Sequence, residues 1–280
     1  MTFDPGALGH SRSDLAAALK RERKRAGWTQ VRLAKRCNMS QTKVSTIESG
    51  KSTPALVDVE LILEALGSGG PPAADILSLA RSAHTEWQDH WASRRRGLDK
   101  KQNELARLEA ATEEFRFFLL SMITGLLATP DYVRASIADV SGDQSKTIAK
   151  KLERQNVLLE SAKSFTFILT EQAVRWPLLP PLAMAMQLDR LVSVSRLPQV
   201  RLGVLPLVGH IPERPLNTFT VYDRRLATVE TGTGALVLRD HRDVNAYRDD
   251  FDRYEGYAVW GEECRELLSE WSMIFTRQHP

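Results

Sequence analysis

The sequence is poor in the features that mark an enzyme, a secreted protein or a membrane protein. Its 280 residues include only two cysteines, Cys37 and Cys264, too far apart to imply a disulfide framework or a metal knuckle. The expectation is two reduced, packed thiols in a cytoplasmic protein. No apolar run approaches the length that crosses a bilayer, and the opening MTFDPGALGHSRSD lacks the basic start and apolar stretch of a secretion signal. The six histidines are scattered. His84 and His90, six apart on an expected helix, share a face poorly, so no metal site is expected. A zinc-binding His-Glu-x-x-His helix, a Gly-rich phosphate loop and a Gly-x-Ser-x-Gly nucleophile elbow are all missing. Glu171 and Arg175, four apart, read as an ion pair on one helix turn rather than an acid–base device. Glu230, Asp240, His241 and Asp243 fall near strand and helix ends where a site could form, although charges at a helix start account for Asp240 and Asp243 equally well. These absences point away from catalysis, and no cofactor is expected.

What remains is an ordinary globular composition, 42% apolar and 26% charged, with enough chain for two domains. The net charge of +3 conceals an asymmetry. Residues 1–51 carry 11 Lys/Arg against 4 Asp/Glu, and the remainder 27 against 31. A basic head on a mildly acidic body implies that the head meets a polyanion.

Apolar spacing sharpens this. Ser13 reads as the N-cap of a first helix with Leu15, Ala18, Leu19 and Glu22 at helical spacing, stopped by Gly27. Thr29 caps a second helix, Gln30–Cys37, with Leu33, Ala34 and Cys37 inward. Asn38 tolerates the left-handed turn that follows. Ser40 caps a third helix, Gln41–Glu48, with Val44 and Ile47 inward. Gly50 ends it, and Thr53-Pro54 opens a fourth helix bearing Leu56, Val59, Ile62, Leu63 and Leu66. The outward side of the third helix is Gln41, Thr42, Lys43, Ser45 and Thr46, groups that hydrogen-bond base edges. A scaffold that only mediates protein contacts is the alternative, and it leaves those polar residues without a purpose.

The stretch TQVRLAKRCNMSQTKVSTIESGKSTP resembles the XRE family of helix-turn-helix regulators, which includes phage repressors and Cro proteins. The likeness covers roughly residues 13–67, with Asn38 at a turn position usually held by Gly. It implies a lambda-repressor-like all-α domain on double-stranded DNA. Its third helix enters the major groove. Gln41, Thr42, Lys43 and Thr46 are then the base-reading candidates, Gln41 through a bidentate contact to adenine. Gln30, Ser40, Lys51, Arg23 and Arg32 are phosphate-binding candidates. Because one such domain reads few base pairs, a homodimer on a palindromic operator is expected.

Gly67-Ser-Gly-Gly-Pro-Pro72 reads as a linker, dividing a helix-turn-helix domain at 1–70 from a helical linker at 71–102 and an α/β domain at 103–280. Helices are expected at 73–93, with Trp87 and Trp91 on one face, and at 98–122, where Leu105 to Met122 form an apolar stripe. That stripe packs either on the following domain or across a dimer interface. Helices at 145–162 and 181–195, one long helix or a broken pair over 241–276, and strands at 165–170, 201–206, 217–222, 227–230 and 235–238 imply a mixed α/β domain around one sheet. The block LARLEAATEEFRFFLLSMITGLLATPDYVRASI, with Glu171-Gln-Ala-Val-Arg175, Gln187-Leu-Asp-Arg-Leu191, Val204-Leu-Pro206 and Phe219 with Val229-Glu230, resembles a large uncharacterised domain. In many XRE-type bacterial regulators it follows the helix-turn-helix. That resemblance implies an antitoxin-like transcriptional regulator with a small protein partner encoded nearby. A regulator whose second domain senses a metabolite is the other reading.

Overall fold

A computed structural model describes residues 11–89, 98–140 and 142–278. The chain divides into two compact units, the first running to Glu86 and including Leu238–Asp240, the second taking the rest from Trp87 onward. The first is a five-helix bundle: α1 (Ser11–Arg25), α2 (Gln30–Arg36), α3 (Gln41–Glu48), α4 (Leu56–Ala65) and α5 (Gly70–His84). Leu15, Leu19, Leu33, Ala34, Val44, Ile47, Val59 and Ile62 form its core. As expected from residue type, Thr29 and Ser40 cap α2 and α3 through their side-chain oxygens, and Asn38 takes φ of 52° in the turn between them.

Three boundaries differ from the sequence reading. Helix α1 begins at Ser11, so Ser13 lies inside it rather than capping it. Helix α4 begins at Leu56, two residues after Pro54, because the Asp58 carboxylate reaches back to accept the Ala55 N–H and defines the first turn there. Third, Gly67–Pro72 is a corner and not a linker. Gly67 and Gly70 have positive φ, α5 starts at Gly70, and its Ile76 and Ala80 are buried in the same core. The helix expected over 73–93 ends at His84 and is followed by strand β1 (Thr85–Asp89). The Trp87–Trp91 and His84–His90 pairings lie outside the residues whose side chains are described.

The second unit is built on a mixed sheet of strand order β1-β7-β6-β5-β2-β3-β4-β8. Its strands after β1 are β2 (Glu114–Leu119), β3 (Ser164–Thr170), β4 (Val200–Leu205), β5 (Thr218–Tyr222), β6 (Leu226–Glu230), β7 (Gly234–Leu238) and β8 (Val259–Trp260). Strands β2, β3 and β4 are parallel neighbours, whereas β5 and β8 run antiparallel to the two outer members of that trio. Strand β2 overturns the expected helix at 98–122, which stops at Ala110 as α6 (Leu98–Ala110). Phe115 and Phe118, three apart, imitate helical spacing. A central strand buried on both faces, as Phe115, Phe117, Phe118 and Leu119 are, loses the alternation that would reveal it. The stop signal is non-local: the Lys163 ammonium donates to the carbonyls of Glu109, Ala110 and Thr112 at 2.9, 3.2 and 2.8 Å.

The two faces of the sheet carry separate aromatic layers. On one, Phe115 stacks on Phe165 at 4.5 Å and Phe117 on Phe167 at 4.7 Å. They join a core with residues of α7 (Pro130–Ala135), α10 (Pro181–Val194) and α12 (Gly261–Arg277). Between these lie α8 (Ser145–Glu153), a 3-10 turn at Arg154–Leu159 and α9 (Glu171–Arg175). On the other face, Phe118 stacks on Phe219 and on Tyr254 of α11 (His241–Glu255). Cys37 and Cys264 are both buried and free. Burial pushes the Cys264 thiol up to about 11, which keeps it protonated and unreactive at neutral pH.

At Gly203 in β4 the Trp260 ring of β8 packs directly against the strand. A β-carbon there would lie 2.6 Å from the Trp260 ring, which is held in place by its N–H donating to the Glu255 carbonyl at 3.2 Å and by the Arg201 guanidinium 3.9 Å above it. Gly203→Ala is therefore expected to destabilise the protein by about 1–3 kcal/mol through overpacking, read as a lower urea midpoint. An unchanged midpoint would show that Trp260 moves aside freely.

Candidate nucleic-acid interface

Helices α2 and α3 are short, so their mutual angle must be held by something other than their own length. A buried ion pair does this. The Arg23 Nε donates to Glu48 Oε1 at 2.6 Å and its Nη2 to Glu48 Oε2 at 2.8 Å, a bidentate fork. A third donor, Nη1, bonds the Trp28 carbonyl at 2.6 Å. Gln30, at the start of α2, donates its amide to Glu48 Oε2 at 2.9 Å. One carboxylate at the end of α3 thus ties α1, the α1–α2 turn and the start of α2 together. Burial pushes the Glu48 carboxyl up, but hydrogen bonds from Arg23 and Gln30 and the arginine charge outweigh it and hold the group below its ordinary value. The hydrogen bond to Glu48 in turn raises the Arg23 guanidinium against the opposing effect of burial.

With α3 fixed from behind, its first turn stands clear. Gln41, Thr42 and Lys43 are exposed, Ser45 and Thr46 partly so, and Val44 and Ile47 are buried. The Ser40 hydroxyl oxygen accepts the Lys43 N–H at 3.1 Å, and the Thr46 hydroxyl donates to the Lys43 carbonyl at 2.9 Å. The Lys43 ammonium meets Asp58 at 2.8 Å. Among the phosphate candidates, Ser40, Arg32 and Lys51 are exposed, with the Arg32 guanidinium 4.3 Å over the Trp28 ring. Gln30 is half-buried and positioned by Glu48. Arg23 is a correction: buried, with its donors on Glu48 and Trp28, it braces the motif and is not available to a phosphate. Glu171 and Arg175 do form the expected i,i+4 pair, at 2.5 Å. Among the described residues no group of three or more His, Cys, Asp or Glu could hold a metal ion, and no helix is long and apolar enough to cross a membrane.

Sequence reasoning missed Glu48 and Asp58. Glu48 carried a signal, since it continues the inward stripe of Val44 and Ile47, while Arg23 continues that of Leu15 and Leu19. Opposite charges on two apolar stripes are the mark of a buried pair. Asp58 carried none, because its link to Lys43 joins two helices.

Fold and interface together define a helix-turn-helix DNA-binding domain followed by a mixed α/β domain. A family model described as a helix-turn-helix domain matches residues 14–76. A second, described as a domain of unknown function (DUF5753), matches residues 102–270, and the chain belongs to that family. A comparison with curated proteins finds no match. Among solved structures the chain is similar to NucT from Helicobacter pylori, at 8% identity over 63% of this chain and 98% of that one, TM-score 0.37. It is also similar to Nuc, a phospholipase D family member from Salmonella typhimurium, at 10% identity over 63% and 97%, TM-score 0.36. A third is TrmBL2, an archaeal chromatin protein, at 10% identity over 64% and 53%, TM-score 0.34. Likeness this slight carries no argument about function.

Removing one partner of the buried pair leaves an uncompensated charge. Glu48→Ala is expected to cost the helix-turn-helix unit about 3–5 kcal/mol, measured by urea denaturation. Because the folded carboxyl is held below its unfolded value, the stability it contributes is present above about pH 4.3 and is lost as pH falls through the lowered folded value. Glu48→Gln should remove that acid dependence. If it instead unfolds with the same pH profile as the parent, the pair does not brace the motif.

Proposed function

We propose that this protein is a sequence-specific transcriptional regulator that binds a palindromic operator as a homodimer in the cytoplasm. The observation that carries the reading is the first turn of α3, where Gln41, Thr42 and Lys43 are exposed on a helix held from behind by Glu48. A recognition helix presents this end to the base edges of the major groove. Two such domains about a two-fold axis span half-sites ~34–36 Å apart. Gln41→Ala should change sequence preference in a selection from random duplexes, since a bidentate contact is worth about 1–3 kcal/mol of discrimination. Lys51→Ala should weaken all sequences alike and reduce the salt slope by about one. If both variants keep the parent's affinity and preference, α3 is not the reading element.

The second domain, on this proposal, receives the regulatory signal from a small protein partner in an antitoxin-like arrangement. Support comes from the segment between β4 and β5, where Leu207, Val208 and Leu216 are 69%, 72% and 81% exposed. Trp176, following α9, is exposed as well, and the Leu207 N–H is tied to Glu171 at the start of α9. Apolar side chains grouped in this way mark interaction surfaces. Co-expression with the products of the flanking genes should give a stoichiometric complex that Leu207→Asp abolishes and Gln41→Ala leaves intact. A complex indifferent to Leu207→Asp, or a bound metabolite with no protein partner, would overturn this part.

A further inference from the structure

The one cation of α3 is not left to itself. Lys43 is the only basic residue of Gln41–Glu48, and its ammonium sits 2.8 Å from Asp58 Oδ1. The two side chains are 47% and 16% exposed, respectively, so the aspartate is the sheltered partner. It is also the fixed one. Its other oxygen accepts the Ala55 N–H at 3.3 Å, and its place in the first turn of α4 puts it where a helix favours negative charge. Lys43 is fixed at its backbone too, through the Ser40 cap. A lysine between two anchors is presented in a defined direction, with its charge offset, beside the neutral groups of Gln41 and Thr42.

An unrestrained ammonium at this end of the helix would do something different. It would reach phosphates on any duplex and release a counterion, adding sequence-independent affinity with a salt slope of about 0.9 per contact. Such a contact is gained in full on a wrong sequence, but less on the preferred one, where Lys43 is already held in place beside Gln41 and Thr42, so it narrows the ratio between them that constitutes specificity. We propose that Asp58 is a specificity-determining residue that acts through Lys43, withholding its ammonium from indiscriminate phosphate contact. Gln41 and Thr42 then decide which sequences are held. This inference rests on the DNA-reading role of α3 proposed above.

The test is a double-mutant cycle in the full chain: the parent, Asp58→Asn, Lys43→Met and the double variant. Asp58→Asn keeps an oxygen for the Ala55 N–H, and thermal unfolding checks that all four fold. Each is titrated onto a random-sequence duplex and onto the tightest duplex the parent selects from a random library, between 50 and 200 mM salt. Asp58→Asn should steepen the salt slope on the random duplex by about 0.9, and so narrow the selected-to-random affinity ratio about three- to fourfold more at 50 mM than at 200 mM salt. In the Lys43→Met background the same substitution should change neither. An equal gain in both backgrounds would overturn the proposal, by showing that Asp58 acts only through its bulk charge. So would an unchanged slope and ratio. Those results would leave the DNA-reading role standing. A parent that binds neither duplex would remove that role and this inference together.

Discussion

Arg23 and Glu48 are two opposite charges withdrawn from water, and the geometry of the DNA-facing unit depends on how they meet. Each alone would be costly to bury, and neither can be removed without stranding the other. Their bidentate contact, completed by Gln30 and the Trp28 carbonyl, ties the end of α3 back to α1 and to the start of α2. Helices of seven and eight residues gain little from their own propensity, so this pair and the Leu33, Val44 and Ile47 core set the angle between them. The exposed turn of α3 is a consequence of that bracing: the inward residues are committed, and the polar ones are what remains outside.

The second unit obeys a different constraint. Its central strands β2 and β3 are parallel and in register, Phe115 beside Phe165 and Phe117 beside Phe167, so the phenylalanines stack in pairs across the ladder. Helices α7, α10 and α12 cover this face, and α11 covers the other through Tyr254 and Phe251. With both faces occupied in this way, the unit's exposed apolar residues include those of the segment joining β4 to β5.

The short-range features were legible in the sequence, and the long-range ones were not. Thr29, Asn38 and Ser40 announce the turns of the motif because capping and left-handed backbone are properties of single residues. The alternation at Phe165–Thr170 and the strands from Asn217 onward were readable for the same reason. The helix starts at Ser11 and Leu56 were missed by a residue or two for local reasons, but three larger failures share one cause. Phe115 and Phe118 look helical until Phe165 and Phe219 are known to flank them on neighbouring strands. Gly67–Pro72 looks like a linker until Ile76 and Ala80 are seen in the bundle core. Arg23 looks like a phosphate ligand until Glu48, 25 residues away, claims it. In each case the deciding partner is distant in sequence. The exposure of Gln41, Thr42 and Lys43 was legible because it follows from the periodicity of a short helix alone. Asp58, which holds Lys43 across two helices, was not.

The central claim is that the unit braced by Arg23 and Glu48 meets DNA through the start of α3. Amide hydrogen exchange of the full chain, alone and saturated with a duplex selected from a random library, tests it most directly. The account predicts that protection gained on binding concentrates in residues 29–51. Bound duplex that leaves those amides unchanged and protects residues 102–270 instead would contradict it.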